Sequence, residues 1–101
     1  HLQHAEKVTR RNDATEQEWS RYSQRFATTL RSVRERAGLS QEEVAYRSGL
    51  TRYTYQKYEK GESRPGNPAN PTLRTLIAMA QVLAVPVEEL IPDAPPDLRA
   101  R

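Results

Sequence analysis

The sequence predicts an all-α protein of five helices. Apolar residues recur at helical spacing over long stretches, and helix-capping and helix-stopping residues fall between those stretches. No segment alternates apolar and polar residues with period two, so no sheet is expected.

Residues 1–14 show no apolar period and read as an N-terminal arm, flexible or loosely helical. From Thr15 the pattern changes. Trp19, Tyr22, Phe26, Leu30, Val33 and Ala37 lie 3, 4, 4, 3 and 4 apart, one stripe on a long first helix. Asp13 or Thr15 caps its start and Gly38 follows its end. Ser40-Gln41-Glu42-Glu43 is a capping box that opens helix two, with Val44, Ala45 and Ser48 facing inward and Gly49 as the stop. Leu50 is expected inside, and Thr51 caps helix three, Arg52 to about Lys60, with Tyr55 and Tyr58 on one side. A loop covers residues 62–71. Asn70-Pro71 is read as the start of helix four, whose stripe is Leu73, Leu76, Ile77, Ala80 and Leu83. Val85-Pro86 breaks the pattern, and Val87, Leu90 and Ile91 fit a short fifth helix with Glu88 and Glu89 in its first turn. Residues 93–101 form a Pro-rich tail, which leaves 15–92 as the folded domain.

Composition narrows the function. With 101 residues, 36% hydrophobic, the chain has room for one small core and not for a separate cofactor domain. It has no Cys, which excludes a disulfide framework, a thiolate zinc site and a Cys nucleophile. No apolar run is long enough to span a membrane, and no signal peptide is seen, so a cytoplasmic location is expected. His1 and His4 have metal-ligand spacing but no third ligand, so no metal and no other cofactor is expected. No arrangement of His or Ser–Lys suggests an enzyme. The charge is informative by its place: residues 21–61 carry a net +5, while the segments before and after each carry −1. A basic block on a small domain suits a polyanion, although a solvated helical surface produces the same count.

The segment Gln41–Lys60 (QEEVAYRSGLTRYTYQKYEK) carries the chemistry. Two short helices are joined by a turn containing Gly49, with small Ala45 where they approach and Val44, Leu50, Tyr55 and Tyr58 in register for a core. Arg52, Tyr53, Gln56 and Lys57 are left on the outer face of the second helix. That is the layout of a helix-turn-helix, whose second helix enters the DNA major groove.

From Leu30 to Ile91 the sequence resembles the Cro/xenobiotic-response-element (Xre) type helix-turn-helix regulators of bacteria and phage. The stretches that carry the resemblance are LRSVRERAGLSQEEVAYRSGLT, YEKGESRP and PTLRTLIAMAQVLAVPVEELI. The loop GNPANP is longer than in short versions of the family, and the first helix reaches further N-terminal. The resemblance implies a five-helix, lambda-repressor-like domain that binds double-stranded DNA as a homodimer and regulates transcription, most often as a repressor on a palindromic operator. It also implies residue roles. Arg52, Tyr53, Gln56 and Lys57 occupy positions that face base edges, where Arg or Lys suits guanine and Gln suits adenine. Gln41, Thr51, Thr54 and Arg64 would contact phosphate, with Arg36 or Arg47 adding backbone contacts. Arg34 and Glu59 match a buried ion pair and are read as structural, not as DNA contacts.

Plainer roles stand beside these. Tyr55 and Tyr58 at spacing three fit the core better than a stacking platform, and so does Trp19. Gln41 and Tyr53 can be solvated surface residues. The arm and the Pro-rich tail also suit an antitoxin-like module that neutralises a protein partner, with DNA binding secondary.

Overall fold

The computed structural model describes residues 2–64 and 66–100, with the backbone alone for residues 2–12. The expectation for His1 and His4 therefore lies outside the described residues. Four α-helices are present among the described residues: α1 (Leu2–Ala37), α2 (Gln41–Arg47), α3 (Arg52–Glu59) and α4 (Leu73–Leu83). A 3-10 helix, Val87–Leu90, stands where a fifth α-helix was expected. Between the N-cap Pro86 and the C-cap Ile91 lie four residues, too few for an α-helical ladder but enough for i→i+3 bonds such as Glu89 N–H to Pro86 O (3.0 Å).

The expected absence of a sheet is corrected. β1 (Glu62–Arg64) and β2 (Asn67–Pro68) form a two-stranded antiparallel hairpin within the loop. Strands of three and two residues are too short to show alternation. Their signal is a backbone one, the turn at Gly66 (φ +81°).

α1 runs as one helix from Leu2 and does not begin at Thr15. Residues 2–14 hold no Gly or Pro and several good helix formers, so lack of an apolar stripe does not stop the backbone. The stripe then packs: Tyr22, Phe26, Leu30 and Val33 are buried, while Ala37 at the last turn is exposed. Ser40 caps α2 with both halves of the capping box, Glu43 N–H to Ser40 Oγ (3.1 Å) and Ser40 N–H to Glu43 Oε1 (3.0 Å). Thr51 caps α3 through the Thr54 N–H at 3.1 Å.

The start of α4 differs from the Asn70-Pro71 reading. Thr72 is the cap, its hydroxyl accepting from Thr75 N–H at 3.1 Å. Two capping residues stand two apart, and the Thr72 hydroxyl both accepts from the Thr75 N–H and donates to the Thr75 hydroxyl (3.1 Å). The buried face is rotated as well. Met79, Ala80 and Leu83 are buried, whereas Leu73 is 70% exposed and Ile77 41%. Leu73 sits in the first turn of α4, and fully buried Met79 takes the core position that the stripe reading missed.

The core is Phe26, Leu30 and Val33 of α1, Val44 and Ala45 of α2, Tyr55 of α3, Ala69, then Met79, Ala80, Leu83 and Leu90. Leu39, Leu50 and Tyr58 pack against it half-buried. α1 also ties down both flanking loops. Ser23 Oγ donates to Ala69 O (3.0 Å), and Gln24 Nε2 donates to Lys60 O (2.9 Å) at the end of α3. Glycine is favoured at position 61 by its φ of +80°, and a Cβ there would also displace the Gln24 amide. The tail is pinned by Tyr22 OH to Pro92 O (2.6 Å) and by Arg25 to the Asp93 carbonyl (2.8 Å) and carboxylate (2.5 Å).

Candidate nucleic-acid interface

α2 and α3 pack through Ala45, which is 1% exposed, and Leu50 holds the connecting turn by its N–H to Ala45 O (2.9 Å). With Tyr55 fully buried beneath it, α3 is fixed about its own axis and turns a defined face outward. Arg52 and Tyr53 stand on that face, with the Arg52 side chain 64% exposed and Tyr53 63% exposed. Arg52 has one carboxylate near it, Glu42 Oε2 at 3.8 Å, itself exposed. Such a pair is weak and easily exchanged. Lys57 lies with its ammonium 4.3 Å from the Tyr53 ring centroid, a cation–π contact that holds both side chains on one patch.

Gln56 is placed differently from its neighbours. It is half-buried, and its Nε2 donates to Gln41 Oε1 at 3.2 Å. Gln41 in turn donates from Nε2 to Glu59 Oε1 at 3.0 Å. The two glutamines assigned to phosphate and base are thus joined to each other and to the buried carboxylate.

Thr51 and Thr54 are also joined. Thr51 Oγ1 takes the Thr54 N–H and donates to Thr54 Oγ1 (3.0 Å), which leaves the Thr54 hydroxyl proton for an outside acceptor. Arg64 is exposed on the hairpin, and with the Asn67 amide turned to satisfy both groups its Nε donates to the Asn67 carbonyl at 2.6 Å. Arg36 and Arg47 each have an exposed acid at 3.9 Å, Glu89 and Glu43.

Arg34 and Glu59 form the ion pair expected of them. Arg34 Nε reaches Glu59 Oε2 at 2.6 Å and Nη2 reaches Oε1 at 3.1 Å, with side chains 14% and 3% exposed. Tyr55 OH donates to Glu59 Oε2 at 2.5 Å, and Arg34 Nη1 donates to Leu39 O at 3.0 Å. Burial pushes the Glu59 carboxyl up, but donors from Arg34, Tyr55 and Gln41 outweigh it and hold the group below the usual carboxylate range. Burial, reinforced by the Glu59 charge, pushes the Tyr55 hydroxyl far up, so it stays a donor.

Sequence reasoning missed two cations. Arg31 and Lys60, both exposed, line a polar cleft of about 260 Å³ together with Arg34, Gln41, Gln56 and Glu59. Their signal was present in the basic block: Arg31 lies one turn before Arg34, and Lys60 directly follows Glu59. Among the described residues no group of His, Asp and Glu is placed to hold a metal, and no helix is long and apolar enough to cross a membrane.

A search of curated proteins gives no match. A solved structure does: the restriction-modification controller protein C.AhdI from Aeromonas hydrophila is 34% identical, with a TM-score of 0.59 over 67% of this chain and 94% of that one. The helix-turn-helix domain family matches residues 25–91, a span that holds α2, α3, the hairpin, α4 and the packed part of α1. By that match and that likeness, the chain belongs to the helix-turn-helix domain family and is a DNA-binding transcriptional regulator of the Cro/C1, or Xre, type.

Proposed function

We propose that this protein represses transcription as a homodimer on a palindromic DNA operator, acting by binding and without catalysis, in the cytoplasm where the DNA lies. The observation that carries the reading is the outward face of α3: Arg52 and Tyr53 stand exposed on a helix that buried Tyr55 cannot let rotate. An Arg at the first turn of such a helix can present its planar fork to guanine O6 and N7. Arg52, Tyr53, Gln56 and Lys57 take the base edges. Gln41, Thr54 and Arg64, with Arg31 and Lys60 added, take the phosphates, and Thr51 serves mainly by orienting Thr54. The likeness to a restriction-modification controller supports a regulatory role. Apolar side chains at the surface support self-association: Leu73 and Ile77 share a face of α4, and Ile91 follows the 3-10 helix.

Two recognition helices on one DNA face sit ~34 Å apart, so half-sites about 10 base pairs apart are expected. Selection of bound sites from random DNA, with sedimentation of the free and bound protein, tests this. A two-fold symmetric consensus bound by a dimer supports it, and a protein that is monomeric at high concentration, free and bound, overturns it.

A steep salt dependence is also expected. If Arg31, Lys60 and Arg64 each neutralise a phosphate, a dimer makes about six cationic contacts, and log K should fall against log salt with a slope near −5. A binding constant that barely changes between low and physiological salt would favour the second reading, an antitoxin-like module. The observation behind that reading is an apolar groove of about 70 Å³ among Trp19, Tyr22, Phe26, Leu76 and Ile91, which a protein partner could fill.

A further inference from the structure

We infer that the first five turns of α1 pair antiparallel with the same turns of a second copy, with Arg11 of each chain level with Glu18 of the other. The inference rests on the proposed homodimer and names what sets its register. These turns lie before residue 25, where the match to the helix-turn-helix family begins, so the pairing is a property of this chain and not of the shared domain.

Length sets the segment apart. The 36 residues of α1, at 1.5 Å each, account for the whole long dimension of the molecule, 51 Å against 25 and 20 Å for the others. Among the described residues of α1 the first buried one is Tyr22, and Asp13, Glu16, Gln17 and Glu18 are exposed. Five turns of helix are marginal in water unless one face is packed. The sequence of those turns supplies such a face. Ala5, Val8, Asn12, Thr15, Trp19 and Tyr22 are spaced 3, 4, 3, 4 and 3, a heptad seam that no charged residue interrupts. The seam is uncharged more than apolar, which is why it does not stand out as a core stripe. At its far end it runs into the apolar groove of Trp19, Tyr22, Phe26, Leu76 and Ile91.

Charge decides both the partner and the direction. Residues 2–11 carry a net +2, from Lys7, Arg10 and Arg11 against Glu6. Residues 12–19 carry −3, from Asp13, Glu16 and Glu18. Parallel copies would set like charge beside like, whereas antiparallel copies set each basic half beside an acidic one. In that register Val8 is level with Trp19 of the second copy and Asn12 with Thr15, each twice by two-fold symmetry. Beside the seam, Arg11 is level with Glu18, also twice. Glu18 is exposed, and no ion pair among the described residues engages it. The polar Asn12–Thr15 layer weakens the pair but fixes its register. The groove adds the apolar area that the seam lacks, since residues 2–5 of the second copy come level with it.

The test is sedimentation equilibrium of the full chain as wild type, Arg11→Glu, Glu18→Arg, the equimolar mixture of these two, and the double variant. Thermal melting checks that each is folded. Each single variant sets like charges together at two places and should self-associate about tenfold more weakly. The mixture restores both pairs between unlike chains, and the double variant restores them between like ones, so both should return to wild-type affinity. Trp19 is the sole tryptophan, and its emission should shift to the red as wild type is diluted through dissociation. Single variants that dimerise like wild type, or weakened ones that neither mixing nor the double change rescues, overturn the pairing and leave the homodimer standing. Wild type that stays monomeric at high concentration overturns both and leaves the groove to a foreign partner.

Discussion

Glu59→Ala is expected to lower the unfolding free energy by about 3–5 kcal/mol, because it strands a guanidinium inside the protein. The Arg34 side chain is 14% exposed and would keep only Leu39 O as an acceptor. The buried Tyr55 hydroxyl would lose its acceptor too, and Gln41 would lose the group that orients it. For a domain of this size such a loss is a large share of total stability. Denaturant melts of the two proteins measure it. An unchanged midpoint would mean that the pair adds nothing net to the fold.

The same carboxylate sets the acid limb of stability. Its pKa is lowered in the fold, so folding favours the ionised form. The stability it contributes is fully present above the ordinary carboxylate value of about 4.3 and is lost as pH falls from there through the lower folded value. Glu43, lowered by its bonds to Ser40, acts with the same sign. Glu59→Gln should therefore unfold with a flatter dependence below about pH 4.5 than wild type. Equal slopes for the two proteins would remove Glu59 from the acid transition.

Arg52→Ala is expected to cost about 1–3 kcal/mol per half-site, so about 2–6 for a two-fold complex, and to flatten preference at one base pair in each half. Leaving Glu42 costs Arg52 little, as both side chains are exposed and 3.8 Å apart, so nearly all of its interaction with guanine is available as affinity. Lysine does not replace it, having no planar fork. Arg64→Ala is the contrast: removing a charge that meets only phosphate should weaken matched and scrambled sites alike. One competition experiment reads both. If Arg52→Ala lowers the two sites by one common factor, Arg52 is itself on the backbone, and α3 lies in the groove at another rotation.

Much of this was legible in residues. Ser40–Glu43 and Thr51 announce their caps because the donors they satisfy are three residues away, within the range that sequence shows. The α1 stripe was legible for the same reason, and the buried pair through family resemblance. What failed to show was whatever depends on distant partners. Met79 is core and Leu73 is not because of where α4 leans, which no local period states. Gln56 shares a helical face with Arg52 by spacing, yet it is drawn inward by Gln41, 15 positions earlier in the chain. The hairpin was invisible because its pairing is backbone to backbone and its strands are shorter than a pattern. Arg31 and Lys60 look like ordinary surface cations until the fold sets them around one cleft.

The bonds from Tyr22 to Pro92 and from Arg25 to Asp93 join residues 70 and 68 positions apart. They bear on the order in which the protein assembles. α2, its turn and α3 lie within 19 consecutive residues and can form on the microsecond scale of local helices. Closing a loop of some seventy residues adds an entropy cost that only completed packing offsets, so those two bonds come late. On a ribosome, α1 emerges well before residues 91–93, and its aromatic face is sealed only after those have been made. During that interval the recognition unit can already be formed while Tyr22 and Phe26 still lack Ile91 and Pro92 beside them, which makes translation the period of greatest exposure for this apolar surface.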